Sequence, residues 1–391
     1  MRGQTVRPIV IAAGGTGGHF FPAEALASEL LARGHRVALM TDARSGGLKS
    51  DVLRSDSAPN VFAGHETFVL HGAGIAGRGA LRAGQATFAM ALGTAQARGI
   101  LSTLGAAAIV GFGGYPCVAP VLASRLLRRR PVVVLHEQNA VLGRANRALA
   151  RFADRLALGV EPRGSPDMAA TMRLPRSTEM LVTGNPVRPA IRAMAGLGYT
   201  PPMPDGSINL LVIGGSQGAR VFSDALPQAI ALLPEALRAR LRVVQQCRPE
   251  DLQRVRAAYA AQGVEADLAA FFPDMAVRLA AAHFVVARAG ASTVAELCVV
   301  GRPGLLVPLP ASIDQHQRFN ALGSGADVLE QSAFEATPQA LADALAGLLP
   351  FPDLLIAKAR AVAQAGIPDA AARLADLVEQ TARANLEGAR A

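Results

Sequence analysis

Tryptophan is missing from this chain of 391 residues, tyrosine and cysteine occur three times each, and Lys49 and Lys358 are the only lysines. With so few aromatics, and none interleaved with basic residues, there is no stacking platform for the bases of a nucleic acid. Cys117, Cys247 and Cys298 lie far apart without a C-x-x-C pair. That spacing argues against a disulfide framework or a cysteine zinc site and fits a reducing cytoplasm. Residues 99–124 carry no charge and are long enough to cross a bilayer, but Gly105, Gly111, Gly113, Gly114, Pro116 and Pro120 interrupt them. They read as a helix end, a buried strand at 106–110, a loop and a new helix rather than a membrane span. The apolar run before the first glycines spans only about five residues, too short for the core of a signal peptide.

What is present is a chain for folding. Hydrophobic residues make up 51% and mean hydropathy is +0.27, which excludes disorder, and the length suits two domains. The formal charge of +9 comes almost wholly from arginine and suits an anionic membrane or a phosphorylated substrate.

The chain is organised around residues 8–22, where an apolar strand runs into Gly14, Gly15, Thr16, Gly17, Gly18 and His19, followed by Pro22. Strand, tight loop and helix start are expected, with Pro22 in the first turn. Glycines allow close approach of a ligand, and a helix start offers N–H groups with partial positive charge, so the loop suits an anion. His19 is the titrating group there. The plainer alternative is a loop that only closes a βα unit, with His19 as a cap or surface residue.

Ala23, Leu26, Ala27, Leu30 and Leu31 share a helical face, Gly34 is placed to end that helix, and 36–41 is the next strand. This βαβ opening implies a parallel sheet. Further on, Ile75, Leu81, Phe88 and Met90 stand among Arg78, Arg82 and Arg98. They form either a core helix with solvated arginines or a patch for a membrane surface. Strand-loop units follow at 108–116, with Gly113, Gly114 and Tyr115, and at 131–139, ending in His136, Glu137, Gln138 and Asn139. Ionisable residues at the carboxyl end of a parallel strand lie where open α/β sheets bind ligands. Arg144, Arg147, Arg151 and Arg155 recur at helical spacing, as a cationic or simply solvated face. The last strands of this half are expected at 157–159 and 180–188, and residues 196–206, rich in Gly and Pro, as a linker.

The second half starts as the first did, with a strand at 208–213, a glycine turn at 214–219 containing Ser216, and a helix at 221–232. Two glycine loops after two first strands point to two domains of similar design with a ligand in the cleft between them. A strand at 242–246, a helix at 251–262 and a junction at 270–275 come next. In 283–297 a strand ends at a small-residue turn where Ser292 or Thr293 can cap, and Glu296 falls about one turn into the new helix. Such a helix start can bind diphosphate and Glu296 a ribose diol; the alternative is that Glu296 only offsets the helix dipole. A buried strand at 304–310 precedes a polar cluster in which His316, Gln317 and Asn320 can lie on one helical side. Helices are expected at 340–349, 354–364 and 370–386.

The segments GGTGGHFFPA (14–23), GFGGYP (111–116), HEQN (136–139), TGNPVR (183–188), GGSQGA (214–219), RAGASTVAE (288–296) and HQRFNA (316–321) occur in order along nearly the whole chain. Together they resemble the MurG glycosyltransferases, which move N-acetylglucosamine (GlcNAc) from UDP-GlcNAc to the C4 hydroxyl of undecaprenyl-diphosphate-linked N-acetylmuramoyl-pentapeptide. The resemblance implies an α/β protein with the GT-B fold, two Rossmann-like domains facing a central cleft. The first would span 1–188, rejoined by a C-terminal helix at 368–388, and the second 189–367. It implies donor contacts at Thr16, Gly17, Gly18, Asn139, Arg188, Ser216, Phe272, Ala291, Ser292, Thr293, Val294, Ala295, Glu296 and His316 or Gln317. Within that set Glu296 would hold the ribose, the 291–295 helix start the diphosphate and the Phe272 backbone the uracil edge. Gly14, Gly15, Gly113, Gly114 and Tyr115 would meet the acceptor's diphosphate, and His19 or Glu137 would be the base. The implied partners are UDP-GlcNAc, the lipid-linked acceptor (lipid I), an anionic membrane surface on the cytoplasmic side of the inner membrane, and other cell-wall synthesis and division proteins. Phe272 stands where the family often has isoleucine, and Cys117 where it has serine. Alternatives of other kinds are a related UDP-sugar transferase with another lipid acceptor, a UDP-GlcNAc epimerase, and a non-catalytic UDP-sugar-binding protein.

An inverting transfer needs a base for the acceptor hydroxyl and positive potential for the departing UDP. The chain has no Asp-x-Asp, the usual holder of a metal-bridged diphosphate. Amide-rich helix starts and Arg188 are therefore expected to serve, without a protein-bound metal or a cofactor. Turnover should accordingly survive treatment with EDTA; complete loss restored by Mg²⁺ would contradict this.

Overall fold

The computed structural model describes residues 7–14, 17–42, 61–71, 80–161, 179–215 and 218–388. The chain divides into two compact units, one comprising Met1–Pro189 with Asp369–Ala391 and the other Ala190–Pro368.

The first unit holds a parallel sheet of β1 (Ile9–Ala12), β2 (Val37–Asp42), β3 (Glu66–Leu70), β4 (Ala108–Gly111), β5 (Val132–Glu137), β6 (Arg155–Leu158) and β7 (Glu179–Val182). Their order is β3-β2-β1-β4-β5-β6-β7. Strands β1, β4 and β5 are buried along their whole length because helices cover both faces. Alternate residues feed two cores: Ile9, Ile11, Val110 and Val134 face one way, and Val10, Ile109, Val133 and Leu135 the other. The helix Ala370–Gly388 adds Leu374, Ala375 and Val378 to the first of these cores. Arg33 tethers it through Asp376 at 2.6 Å, and His35 through Glu379 at 2.8 Å. The chain winds outward from β1 to β3, then returns to place β4 on the other side of β1. That reversal opens a crevice above the carboxyl ends of β1 and β4.

Several local expectations need correcting. The first helix begins at Gly17 and runs to Ala32, so Pro22 sits inside it rather than in its first turn. Gly34 does end it, at φ 81°, its N–H on the Leu31 carbonyl at 2.9 Å. The uncharged stretch is the end of the Ala80–Leu104 helix, then β4, then the Val118–Ser124 helix, and no helix among the described residues is long and apolar enough to cross a membrane. The four spaced arginines form no single face. Arg144 and Arg147 lie on the helix Arg144–Leu149, Arg151 lies over the Phe152 ring, and Arg155 opens β6 opposite Glu179. Strand β3 went unanticipated.

The second unit repeats the plan. Its parallel strands are β8 (Ile208–Ile213), β9 (Leu241–Gln246), β10 (Glu265–Ala269), β11 (Phe284–Arg288), β12 (Gly304–Val307) and β13 (Asp327–Val328), in the order β10-β9-β8-β11-β12-β13. The reversal here falls between β8 and β11; β10 and β13 are additions to the sequence expectation. Residues 196–206 are no free linker but are fastened to this unit. Tyr199 donates to the His283 carbonyl at 2.9 Å, and Arg302 to the Gly198 carbonyl at 2.7 Å. Arg240 donates to the carbonyls of Met203 and Gly206, both at 2.8 Å.

Candidate active site

Three loops meet at the carboxyl ends of β1, β4 and β5. After β1 come Gly14, which is buried, and the helix start with Gly17, Gly18 and the half-buried His19; Gly15 and Thr16 lie outside the described residues. After β4, Gly113 and Gly114 adopt φ 84° and 70°, backbone that favours glycine, and turn the chain into the short helix Tyr115–Cys117. Tyr115 is exposed. Cys117 is fully buried, its thiol donating to the carbonyls of Ala12 and Gly113, so the residue found in place of the family's serine still ties the two loops together.

At the end of β5 the side chains His136 and Glu137, and Gln138 just after it, are all buried. His136 donates from Nε2 to the Gly184 carbonyl at 3.0 Å. Burial pushes its pKa down to about 4, against smaller opposing effects of that bond and of Glu137. The Gln138 amide nitrogen donates to the Phe112 carbonyl at 3.0 Å, while its Oε1 stands 2.9 Å from His19 Nδ1. Glu137 is fully engaged. Its Oε1 accepts from the backbone and side-chain nitrogens of Asn139, both at 3.0 Å, and its Oε2 from the Gly143 N–H at 2.8 Å and Asn146 Nδ2 at 2.9 Å. The carboxylate thus shapes the loop that carries Gln138 and Asn139. Arg188 lies 4.8 Å over the Phe21 ring, on the first helix.

In the second unit, Gly214 sits where a Cβ would come within 2.3 Å of the Ala219 nitrogen, so only glycine fits this turn after β8. Ser216 lies outside the described residues. After β11 the helix Ala291–Val300 starts with Gly290 at its N-cap and no side-chain cap, so neither Ser292 nor Thr293 caps it. Ala291, Ser292 and Thr293 instead form its first turn, with the first intrahelical bond running from the Val294 N–H to the Gly290 carbonyl at 2.9 Å. Ala295 follows them, and Glu296 is buried one turn in. Asn320 of the helix His316–Leu322 reaches the Ala289 carbonyl at 3.1 Å, tying that helix to the same turn. His316 donates from Nδ1 to the Ile313 carbonyl at 2.8 Å, and Gln317 accepts from the Leu309 N–H at 3.0 Å. Just before them Asp314 and Gln315 hold φ 52° and 53°, a rare left-handed pair for residues with side chains. Phe272 is buried beneath the Arg278 guanidinium, 4.2 Å from its ring centre.

The sequence places His136 and Gln138 at the ligand-binding end of a strand, inside the HEQN motif, but assigns neither an individual role. Their place at the end of a buried strand was the available signal.

Two parallel-sheet, Rossmann-like units with glycine turns at both reversals are the architecture of the GT-B fold. The models of the glycosyltransferase family 28 N-terminal and C-terminal domains match residues 9–158 and 209–374. The UDP-N-acetylglucosamine–N-acetylmuramyl-(pentapeptide) pyrophosphoryl-undecaprenol N-acetylglucosamine transferase of Granulibacter bethesdensis is 58% identical over 98% of this chain and 97% of its own. The enzyme of the same name from Acidiphilium cryptum is 52% identical over 97% of this chain and 98% of its own. The crystal structure of Acinetobacter baumannii MurG superposes with a TM-score of 0.71 at 28% identity, covering 96% of this chain and 99% of that one. The chain belongs to the MurG family of glycosyltransferases.

The buried His136 makes one property measurable. Its pKa falls from 6.5 to about 4 on folding, so between those values the unfolded chain binds the extra proton and the folded chain does not. Its contribution to stability is fully present above pH 6.5 and should be lost, by about 3 kcal/mol, as pH drops towards 4. Urea titrations of the protein across this range should show the slope, and His136→Gln should flatten it.

Proposed function

We propose that this chain carries out the reaction for which its relatives are named, moving GlcNAc from UDP-GlcNAc to the C4 hydroxyl of the lipid-linked muramoyl pentapeptide, and that His19 is the base. The observation that carries the assignment is the His19 ring at the β1–β4 reversal, its Nδ1 2.9 Å from Gln138 Oε1. Glu137, whose two oxygens already accept four hydrogen bonds, holds the loop instead. As Nε2 of His19 takes the hydroxyl proton, the acceptor oxygen bonds to the anomeric carbon, and the bond to UDP breaks with its electron pair leaving on the diphosphate. The N–H groups of Ala291, Ser292 and Thr293, with Arg188, supply the positive potential that stabilises this departure. Glu296 accepts from the ribose hydroxyls, the Phe272 backbone meets the uracil, and His316 or Gln317 meets the sugar. Asn139, Thr16, Gly17, Gly18 and Ser216 complete the donor contacts. Gly14, Gly15, Gly113, Gly114 and Tyr115 receive the acceptor diphosphate. The acceptor contacts thus all fall in the first unit, and the contacts to uracil, ribose and sugar in the second.

The acceptor is anchored in a bilayer, and we assign the membrane contact to the helix Ala80–Leu104. Phe88 is 72% and Leu92 47% exposed, one turn apart on the same face. The enzyme works from the cytoplasmic face as a peripheral protein.

Incubation with labelled UDP-GlcNAc and a short-chain lipid I analogue should yield the disaccharide and UDP. An epimerised nucleotide sugar without transfer would favour the epimerase alternative. His19→Ala should bind UDP-GlcNAc normally and lose roughly 10²- to 10⁴-fold in kcat, whereas turnover at the parent's rate would refute the assignment. The double variant Phe88→Asp, Leu92→Asp should sediment less with anionic vesicles while keeping activity on the detergent-soluble short-chain analogue. Unchanged sedimentation would place the membrane contact elsewhere.

A further inference from the structure

The hydrogen bonds behind His19 form a chain whose direction is set by backbone carbonyls. The Gly184 carbonyl can only accept, so His136 carries its hydrogen on Nε2, 3.0 Å away. Its Nδ1 is then a lone pair and accepts from the Gln138 amide nitrogen at 3.2 Å. The same nitrogen donates to the Phe112 carbonyl at 3.0 Å and lies 3.2 Å from the His136 carbonyl. All these neighbours are acceptors, so the amide has one possible orientation, and its oxygen points to His19. Since an amide oxygen can only accept, the group facing it at 2.9 Å is an N–H. Neutral His19 therefore carries its hydrogen on Nδ1 and its lone pair on Nε2.

The ring is also confined. A Cβ built on Gly113 lies 3.4 Å from His19 Cε1, and one on Gly114 lies 3.8 Å from Cδ2, so the turn after β4 runs along one side of the imidazole. Gln138 is 2% exposed and His136 fully buried, which shields the chain from competing water.

We propose that Gln138 is a positioning residue which fixes His19 as the Nδ1–H tautomer and so presents Nε2 to the acceptor hydroxyl, and that His136 holds Gln138 in the orientation this requires. The proposal rests on the reading of His19 as the base. After proton transfer the imidazolium keeps Nδ1–H on Gln138, so the contact persists through the reaction. Removing the amide leaves Nδ1–H without its acceptor, and the ring redistributes between tautomers.

The test is ¹⁵N NMR of protein labelled at its seven histidines, with the His19 signals assigned by their loss in His19→Asn. In the parent protein at a pH where His19 is neutral, Nδ1 should appear protonated and Nε2 as a lone pair. Gln138→Met, close in shape but without the amide, should move the ring towards the Nε2–H form. It should also lower kcat by roughly ten- to a hundredfold, the scale found when outer partners that orient a histidine are removed, with the KM for UDP-GlcNAc unchanged. A parent His19 protonated on Nε2 would overturn the proposal without need of any variant. So would a Gln138→Met protein that folds and keeps both tautomer and kcat. If His19→Ala turned over normally while the NMR result stood, the base assignment would fail and the tautomer assignment would survive, so the two are separable.

Discussion

A right-handed crossover places its helix on one face of a parallel sheet when the chain moves in one direction and on the other face when it moves back. Both sheets of this chain use that constraint. Each starts with a central strand, winds outward by two strands and returns to the far side of the first. The loops after β1 and β4, and after β8 and β11, therefore leave the sheet on opposite faces and leave a crevice between them. The glycines cluster there because backbone must turn sharply next to the space that a ligand takes. Gly214, with no room for a Cβ, and Gly113, at positive φ, are the clearest instances.

The two crevices carry different chemistry. In the first unit the polar groups are side chains, and burying them is tolerated because they hydrogen-bond to one another and to the loop backbone. His136, Gln138, Glu137 and Asn146 share backbone carbonyls and N–H groups of the loops they shape. In the second unit the crevice is edged by the N–H groups of a helix start, and the buried cations stand apart as structure. Arg288 donates to the carbonyls of Val307 and Pro308, and Arg302 to those of Ala280, Val300 and Gly198. On the function proposed above, one unit takes a proton and the other receives an anion.

The central strands were legible because doubly covered parallel strands carry uninterrupted apolar runs, as in 9–12, 132–135 and 210–213. The glycine loops were legible because no other residue makes those turns. The peripheral strands were not. Glu66–Leu70 has only Phe68, Val69 and Leu70 in a row, Glu265–Ala269 is broken by Asp267, and Asp327–Val328 is two residues long, so none carries an apolar run as long as those of the central strands. Arg155 fitted a helical spacing that ends at Leu149, because spacing alone cannot show where a helix stops. The link from Gln138 to His19 spans 119 residues, a separation that local pattern cannot bridge.

An amide rather than a carboxylate behind His19 suits the diphosphate-bearing acceptor proposed for this unit. A carboxylate there would fix the same tautomer and raise the basicity of the ring, as in other histidine bases. The acceptor assigned to this unit, however, carries a diphosphate, and a second negative charge in the same crevice would repel it. Gln138 supplies direction without charge. The one carboxylate in this loop, Glu137, is kept compatible by pointing both oxygens at the N–H groups of Asn139, Gly143 and Asn146, where its charge organises backbone.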